Sequence, residues 1–517
     1  MAKTNLFSAS LLPLLLIACG GFSGESDPGA NGNPLPDAGV AQDPKAPPVP
    51  GKPQTSDLVE SLGVFVTNAG SATPDGTRAR PYPRIQQGID AAKKVGKRVY
   101  VCAGSYPEAL VLADSISVIG GLDCSKPEWV VGAPDARSKV VSPTSPAITA
   151  RAITSATKIS GLDVVAPNAT EPGSSSIGVF ADNSPALVVA SSSITAGDGA
   201  KGTNGAEGTQ LNQTAMHDGV PSIDWVECSP ATCKKVGIGY EKVMGAAGAI
   251  SNCGGLPSQD GERGGDGGSG GLWVARQPDG VTYVWQIYGA ANGPDVGGPG
   301  TSAVGTPGTN GPPAAQVGSL SSTGYAPADG NPGTDGQPGR GGAGGAGTSP
   351  SLAPSLATYT KIYRGISGAG GGGGGCPGLS GKPGTGGGAS IALALVESAI
   401  VIEETKLVSG AGGAAGLGAF GSAPRRGGSP GYGPYPAQAS GNGGNGGVAG
   451  TSSNGSAGPS FAIAHVGGAP TLDNASKTEA GRGGAGVPAR TKTENGVGTP
   501  TSIAATPDGL SEAIHAF

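Results

Sequence analysis

Charge, aromatic rings and histidine are scarce in this chain, and each shortage removes a class of function. Only 13% of residues are Asp, Glu, Lys or Arg, and the net charge is -5. No basic stripe is therefore present to follow a phosphate backbone, and no nucleic-acid partner is expected. Aromatic residues make up 4%, which limits the size of any ordinary core. There are three histidines, His217, His465 and His515, and the closest cysteines, Cys228 and Cys233, do not have zinc spacing, so no metal site is expected. Long apolar runs are missing too: LLPLLLIA, residues 11–18, is too short to span a bilayer. What is plentiful is glycine and proline, 99 and 45 of 517 residues. More than a quarter of the chain thus disfavours regular structure, and the packed core must be smaller than the length implies.

The same short apolar run follows Lys3 and precedes Cys19, which fits a secretory signal over residues 1–18. The stretch LIAC, ending at Cys19, resembles the lipobox of bacterial lipoproteins. That resemblance implies cleavage before Cys19 and acylation of its thiol and new amino group. At about 0.8 kcal/mol per buried methylene, several acyl chains would hold the protein to a membrane without a transmembrane helix. Gly20 after the cysteine resembles the outer-membrane sorting choice of a diderm cell, so the expected location is exported, lipid-anchored, at the outer membrane or cell surface. Residues 19–57, rich in Pro, Gly and Asp, read as a disordered tether between lipid and fold.

Ordered structure is expected from about residue 58. Val64 to Thr67 reads as a strand, and Ile85, Ile89 and Ala92 recur at helical spacing after Pro81 and Pro83. Lys93, Lys94 and Lys97 suit the negative end of that helix. KRVYVCAGSYPEALVL (97–112) then reads as strand, Gly turn, strand. The order YPRIQQGIDAA, VYVCAGSYPEALVL, SISVIGGLDC resembles the entry of pectin-lyase-like right-handed parallel β-helices, in particular a bacterial surface family without assigned activity. The resemblance covers residues 63 to about 200. It implies an all-β fold, a right-handed parallel β-helix, with an N-terminal helix capping the open end of the coil and large Gly-rich loop insertions.

An internal repeat points the same way. SIGVFADNSPALVVASSSITAG (176–197), SIALALVESAIVIEETKLVSG (390–410) and SFAIAHVGGAPTLDNASKTEAG (460–481) each start with Ser and an apolar residue, carry short apolar runs and end at Gly. Such a span suits one coil of a solenoid whose stacked neighbours bury a continuous column. The expected organisation is first coils over 58–200, a Gly-rich insertion with a hairpin over 201–388, further coils with Gly-rich loops over 389–486, and a tail or cap over 487–517. Within the tail, Leu510, Ile514 and Phe517 read as one side of a short helix, with a frayed end as the alternative.

Six cysteines remain after Cys19, an even number that favours disulfides in an exported chain. Cys102 and Cys124 are separated by about one coil, so they would stack in adjacent turns about 4.8 Å apart, within disulfide reach; two buried free thiols are the alternative. Cys228 and Cys233 would close a small loop, which leaves Cys253 and Cys376 as a third pair by elimination. In the insertion, Gly330, Gly333, Gly336 and Gly339 keep a period of three. Two readings stand: extended polyglycine or polyproline-like segments packed side by side, or a long disordered loop. GLWVARQPDGVTYVWQIYG (271–289) reads as a hairpin. Trp273, Tyr283, Trp285 and Tyr288 make it the most aromatic stretch, and Trp273, Tyr283 and Trp285 would either stack on sugar rings or be buried to hold the insertion against the coil.

No catalytic constellation is found. Glycoside hydrolysis needs paired carboxylates, and lyases of the resembled fold use acidic calcium ligands with an Arg or Lys base. The Gly-His-Gly and Arg-Ile-Lys elements of a polygalacturonase and the Gly-x-x-Asp-Phe stretch of a pectin esterase are absent. Asp163 in ISGLDVVA and Asp182 in FADNS fall in comparable coils, so they would either lie near each other outside the cylinder or be solvated surface groups. Asp266 in GGDGGSGGL lacks the many oxygens that calcium needs. No phosphate loop is present, and no cofactor is expected. The expected function is a non-enzymatic surface protein, structural, adhesive or binding a polysaccharide or cell-surface ligand, with Trp273, Tyr283 and Trp285 as candidate glycan contacts. The competing expectation is a divergent carbohydrate-active enzyme.

Overall fold

The computed structural model describes residues 54–133, 136–213, 218–222, 244–254, 302–347, 366–433, 440–493 and 500–517, and the backbone of six short strands at 227–228, 235–236, 239–240, 272–276, 284–288 and 362–364. The described residues are predominantly β, with one α-helix, α1 (Ile85–Val95).

Three parallel sheets dominate, and the chain visits them in rotation. The first contains Gly63–Val66, Arg98–Cys102, Val118–Asp123, Thr157–Ser160, Leu187–Ala190, Val401–Glu403 and Thr471–Leu472. The second contains Gly104–Tyr106, Ser138–Val141, Leu162–Val165, Ser193–Thr195, Lys406–Val408 and Lys477–Glu479. The third contains Leu110–Val111, Ile148–Arg151, Ser176–Asp182, Ser390–Val396, Ser460–Val466 and Ser511–Ala516. Each circuit adds one strand to each sheet, so side chains at equivalent positions stack in columns. In the first sheet Val64, Val99, Val118, Ile159, Val189, Ile402 and Leu472 follow one another. Leu110, Ile148, Val179, Leu393, Ile463 and Ile514 do so in the third. Most of these are fully buried, and each such side chain stabilises by roughly 1.5–3 kcal/mol. The three Ser-initial repeats lie in adjacent tiers, with Ser176 paired to Ser390 and Ser390 to Ser460.

The corners show why serine begins each repeat. Ser176 accepts the Gly197 N–H, and Ser390 donates to the Gly197 carbonyl while accepting the Gly410 N–H. Ser460 in turn donates to the Gly410 carbonyl. A buried hydroxyl column thus satisfies the backbone where the chain leaves the second sheet for the third. Ser184 and Ser398 do the same at the next corner: Ser184 accepts the Ile153 N–H, and Ser398 accepts the Ser184 N–H. That corner turns through stacked left-handed residues, Ala152 (φ 53°), Asn183 (47°), Glu397 (46°) and Gly467 (85°).

The first tiers are closed by α1. Ile85, Ile89 and Ala92 are buried against the column, and Gly96 ends the helix in the left-handed conformation. Buried Glu108 accepts the N–H groups of Ile85 and Gln86 at 2.7 and 3.0 Å, neutralising the helix start. Gln86 acts as a substitute strand for the edge residue Val111: its Oε1 accepts the Val111 N–H and its Nε2 donates to the Val111 carbonyl. Outside the first sheet, Leu58, Phe65, Tyr100, Ile119, Leu122 and Trp129 form a second small core, edged by the Cys102–Cys124 pair (S–S 1.94 Å, Cα–Cα 5.8 Å). Cys102 lies opposite Leu122 in the ladder rather than opposite Cys124, which sits two residues farther on.

The C-terminal residues differ from the helix read from Leu510, Ile514 and Phe517. Ser511–Ala516 is a strand that pairs with Ser460–Val466 and places Ile514 on Ile463. Pairing with an existing sheet edge outweighs a weak local helical preference.

The long Gly-rich excursions all leave at one corner, after Ser193–Thr195, Lys406–Val408 and Lys477–Glu479, and return to begin Ser390–Val396, Ser460–Val466 and Ser511–Ala516. Their described parts pack into a wing of extended segments, so the packed reading holds there. Amides at 413, 416, 419, 422, 425, 428 and 431 donate to carbonyls at 388, 385, 382, 379, 376, 373 and 370. The period is three, as in a polyproline II helix. Residues 366–388 form the central segment, bonded to five others: 200–220, 246–249, 330–345, 413–431 and 441–456. With neighbours on nearly every side, several positions cannot carry a side chain, and they fall in the run Gly370–Gly375. A Cβ on Gly370, Gly371 or Gly372 would sit 2.1 to 2.2 Å from a neighbouring carbonyl oxygen. Peripheral segments such as 199–208 need glycine only at every third position, Gly199, Gly202, Gly205 and Gly208. Cys253 and Cys376 are at bonding distance (S–S 1.90 Å) and tie segment 244–254 to the centre.

Candidate functional site

The carboxylates singled out by sequence are not brought together. Asp163 lies on the second sheet, with its Oδ2 4.0 Å from Lys139 Nζ. Asp182 lies on the third sheet, where Arg151 Nη1 donates to its Oδ2 at 2.7 Å. Each is partly buried and paired with a base on the preceding tier, which fits charge matching along a ladder rather than proton transfer at one bond. Lys158 and Glu403 pair at 3.2 Å on the first sheet, reaching across the intervening tier Leu187–Ala190.

Acids and amides in the wing are also committed to backbone. Among the described residues nine Asx-Gly dipeptides form a reciprocal clamp, with Asx oxygens accepting neighbouring amides at 2.6 to 3.1 Å. Where segments run parallel, the glycine donates to the carbonyl of a residue whose own N–H returns to the Asx oxygen. Gly199 and Asp198 hold Ala411 in this way, Gly205 and Asn204 hold Leu417, Gly219 and Asp218 hold Ser429, and Gly311 and Asn310 hold Thr451. Where segments run antiparallel, the returning amide is two residues on: Gly336 bonds Gly378 while Asp335 takes the Ser380 amide, and Gly509 bonds Gly484 while Asp508 takes the Gly486 amide. These dipeptides were not singled out by sequence. The signal that could have found the clamps was their phase with the three-residue glycine period.

Perturbed ionisation follows local structure. Hydrogen bonds from Thr77, Ser125 and Ser476 hold Asp75, Asp123 and Asp473 below the usual carboxylate range. Burial pushes Tyr325 up to about 12 and raises Tyr100 and Tyr106. Tyr325 belongs to the hairpin Ser319–Ser321/Gly324–Ala326, which folds from the wing onto the outside of the third sheet. There Leu320 and Tyr325 pack with Ile177, Phe180, Ile391 and Phe461, and Arg151 Nη2 donates to the Ser322 carbonyl.

The aromatic hairpin is present as an antiparallel pair, Leu272–Arg276 with Val284–Tyr288, in which Trp273 is opposite Ile287 and Trp285 opposite Ala275. The side chains of Trp273, Trp285 and Tyr288, together with Tyr283, Asp266, Cys19, Cys233 and the Cys228 thiol, lie outside the described residues. The aromatic ring that sequence reading passed over is Trp129, which packs edge-on to Phe65 at 4.9 Å between centroids. Among the described residues no group of three or more His, Cys, Asp or Glu could hold a metal ion, and no helix is long and apolar enough to cross a membrane. What the arrangement offers chemically is surface: solvated charge ladders on the coil, and a wing faced with Thr, Pro, Ala, Asn and backbone amide. No protein-family model, no curated protein and no solved structure matches the chain.

Proposed function

We propose that the protein is a non-enzymatic, lipid-anchored surface protein in which a right-handed parallel β-helix of the pectin-lyase-like kind carries a polyglycine wing. Its role is structural, adhesive or polymer-binding. The observation that supports this is the common exit corner: three successive excursions leave the stack after the second sheet and pack together into one wing. Such a design extends a fixed surface outward from the coil, while Asp163 and Asp182 on the coil are matched to bases on adjacent tiers. In this reading Cys19 carries the lipid at the outer membrane of a diderm cell, residues 19–57 space the fold from it, and Trp273, Tyr283 and Trp285 supply sugar-stacking faces.

A glycan array and a polysaccharide-degradation screen on the purified protein test the reading together. Binding without product is the expected result. Turnover that is abolished in Asp163→Asn or Asp182→Asn would replace it with the carbohydrate-active enzyme. Incorporation of a fatty-acid analogue, lost in Cys19→Ala, is expected for the anchor, and absence of label on Cys19 would refute it.

A further inference from the structure

The extended segments of the wing pack side by side, and between two of them a cleft opens. Residues 440–458 are bonded to 366–388, 413–431, 328–345 and 302–311, and at their end to Gly484. Along 451–454 the segment 502–506 also lies alongside, Thr451 Oγ1 donating to the Ser502 carbonyl and Asn454 Nδ2 to the Ala504 carbonyl, and between it and 310–313 opens a cleft of about 340 Å³. Its floor is Thr451, Ser453 and Asn454, all buried. One wall is Asn310–Pro313 and the other is Ser502–Thr506.

We propose that this cleft docks a proline-rich, extended segment of a partner protein, laid in as a further member of the array. Three observations select that occupant. First, the site continues the interface by which this chain holds its own extended segments: Gly311 already donates to the Thr451 carbonyl along the floor. The volume suits about one turn of polyproline helix, three residues rising roughly 9 Å. Second, the lining carries no charged side chain and its walls are Pro312, Pro313, Ala504 and Ala505, which matches an uncharged segment. Third, the unspent groups on the walls include donors. Asn310 uses its Oδ1 for the Thr451 N–H, while its Nδ2 has no partner among the described residues. The Ala505 N–H is likewise unbonded. A proline-rich segment is rich in carbonyl acceptors and poor in N–H donors, so it complements these donors.

The proposal concerns a peptide and is independent of any lipid anchor or glycan contact elsewhere. Its test is fluorescence anisotropy of a labelled oligoproline peptide titrated with the full chain, with a Gly-Ser peptide and a neutral oligosaccharide as comparators. Saturable binding of oligoproline with Kd of about 0.1–1 mM, consistent with a single turn of contact, is expected. Ala505→Arg, at an exposed site, fills the cleft and should weaken binding at least about tenfold. Asn310→Asp keeps the oxygen that clamps Thr451 and replaces the Nδ2 donor by a charged acceptor that repels peptide carbonyls, so it should weaken binding several-fold with an unchanged unfolding midpoint. No saturable oligoproline binding, equal binding by both variants, or preference for the oligosaccharide or the Gly-Ser peptide would overturn the proposal.

Discussion

Replacing Gly372 by alanine tests whether the wing is a packed structure or merely a set of loops. The added Cβ would meet the Gly428 carbonyl oxygen at 2.2 Å and its carbon at 2.7 Å, distances that no rotation relieves because both atoms are backbone. The central segment must move by more than an ångström. That movement breaks the Gly372 N–H bond to the Gly441 carbonyl and the Gly428 N–H bond to the Gly373 carbonyl. Two buried bonds at about 0.5–1.5 kcal/mol each, added to an overpacking penalty of about 1–3 kcal/mol, give a loss of about 2–6 kcal/mol. Gly373→Ala is the internal control. Its nearest neighbour is the Ser251 hydroxyl at 2.8 Å, a side-chain atom that can turn away, so its cost should be at the low end, about 1–2 kcal/mol. Hydrogen exchange read peptide by peptide gives the local stability. Peptides covering 366–378 and 425–431 should lose protection strongly in Gly372→Ala and weakly in Gly373→Ala, while the coil peptide covering 157–165 stays protected. Equal protection of 366–378 in wild type and Gly372→Ala would refute the reasoning.

Glu108→Ala leaves the Ile85 and Gln86 amides of α1 without an acceptor, and should lower unfolding stability by about 1–3 kcal/mol in denaturant titration; an unchanged midpoint would show that the helix start needs no carboxylate. Ala152→Gly removes a left-handed alanine worth about 1–2 kcal/mol of strain against about 0.5–1 kcal/mol of added unfolded-state freedom. Stability should therefore stay level or rise by up to about 1.5 kcal/mol, whereas an ordinary destabilisation would contradict the corner geometry. The Tyr325 hydroxyl has a folded value near 12 against 10.0 unfolded, so its contribution is complete below pH 10 and is lost as pH rises toward 12, on the order of 2 kcal/mol. Tyr325→Phe should flatten that part of the denaturant-midpoint profile, and an unaltered alkaline slope would count against the burial of this hairpin.

The tiers were legible because the repeat carries its own punctuation. Ser176, Ser390 and Ser460 open strands that need a buried hydroxyl at the corner, and the glycines at 197 and 410 close the circuits that those hydroxyls join. The wing was half legible. The period at Gly330–Gly339 marks an extended segment, but the run Gly370–Gly375 makes sense only once five neighbours surround it, and those neighbours lie far away in sequence. Asp163 and Asp182 sit in similar local sequence yet on different sheets, because strand type repeats along the chain faster than a circuit is completed. The final strand was misread as a helix for the opposite reason: Leu510, Ile514 and Phe517 have helical spacing, and nothing local records that an unpaired edge at Ser460–Val466 is waiting for them.

The central claim is that segments more than two hundred residues apart are neighbouring tiers of one stack, and cysteine cross-linking reads it directly. Thr195 lies opposite Val408, and Val408 opposite Glu479, on the second sheet. Adjacent parallel strands are about 4.8 Å apart, whereas two tiers span roughly twice that, beyond disulfide reach. The double variant Thr195→Cys/Val408→Cys should form an intramolecular disulfide under mild oxidation, and Thr195→Cys/Glu479→Cys should not. Failure of the first pair to cross-link, or equal cross-linking of both, would contradict the stacked-tier architecture.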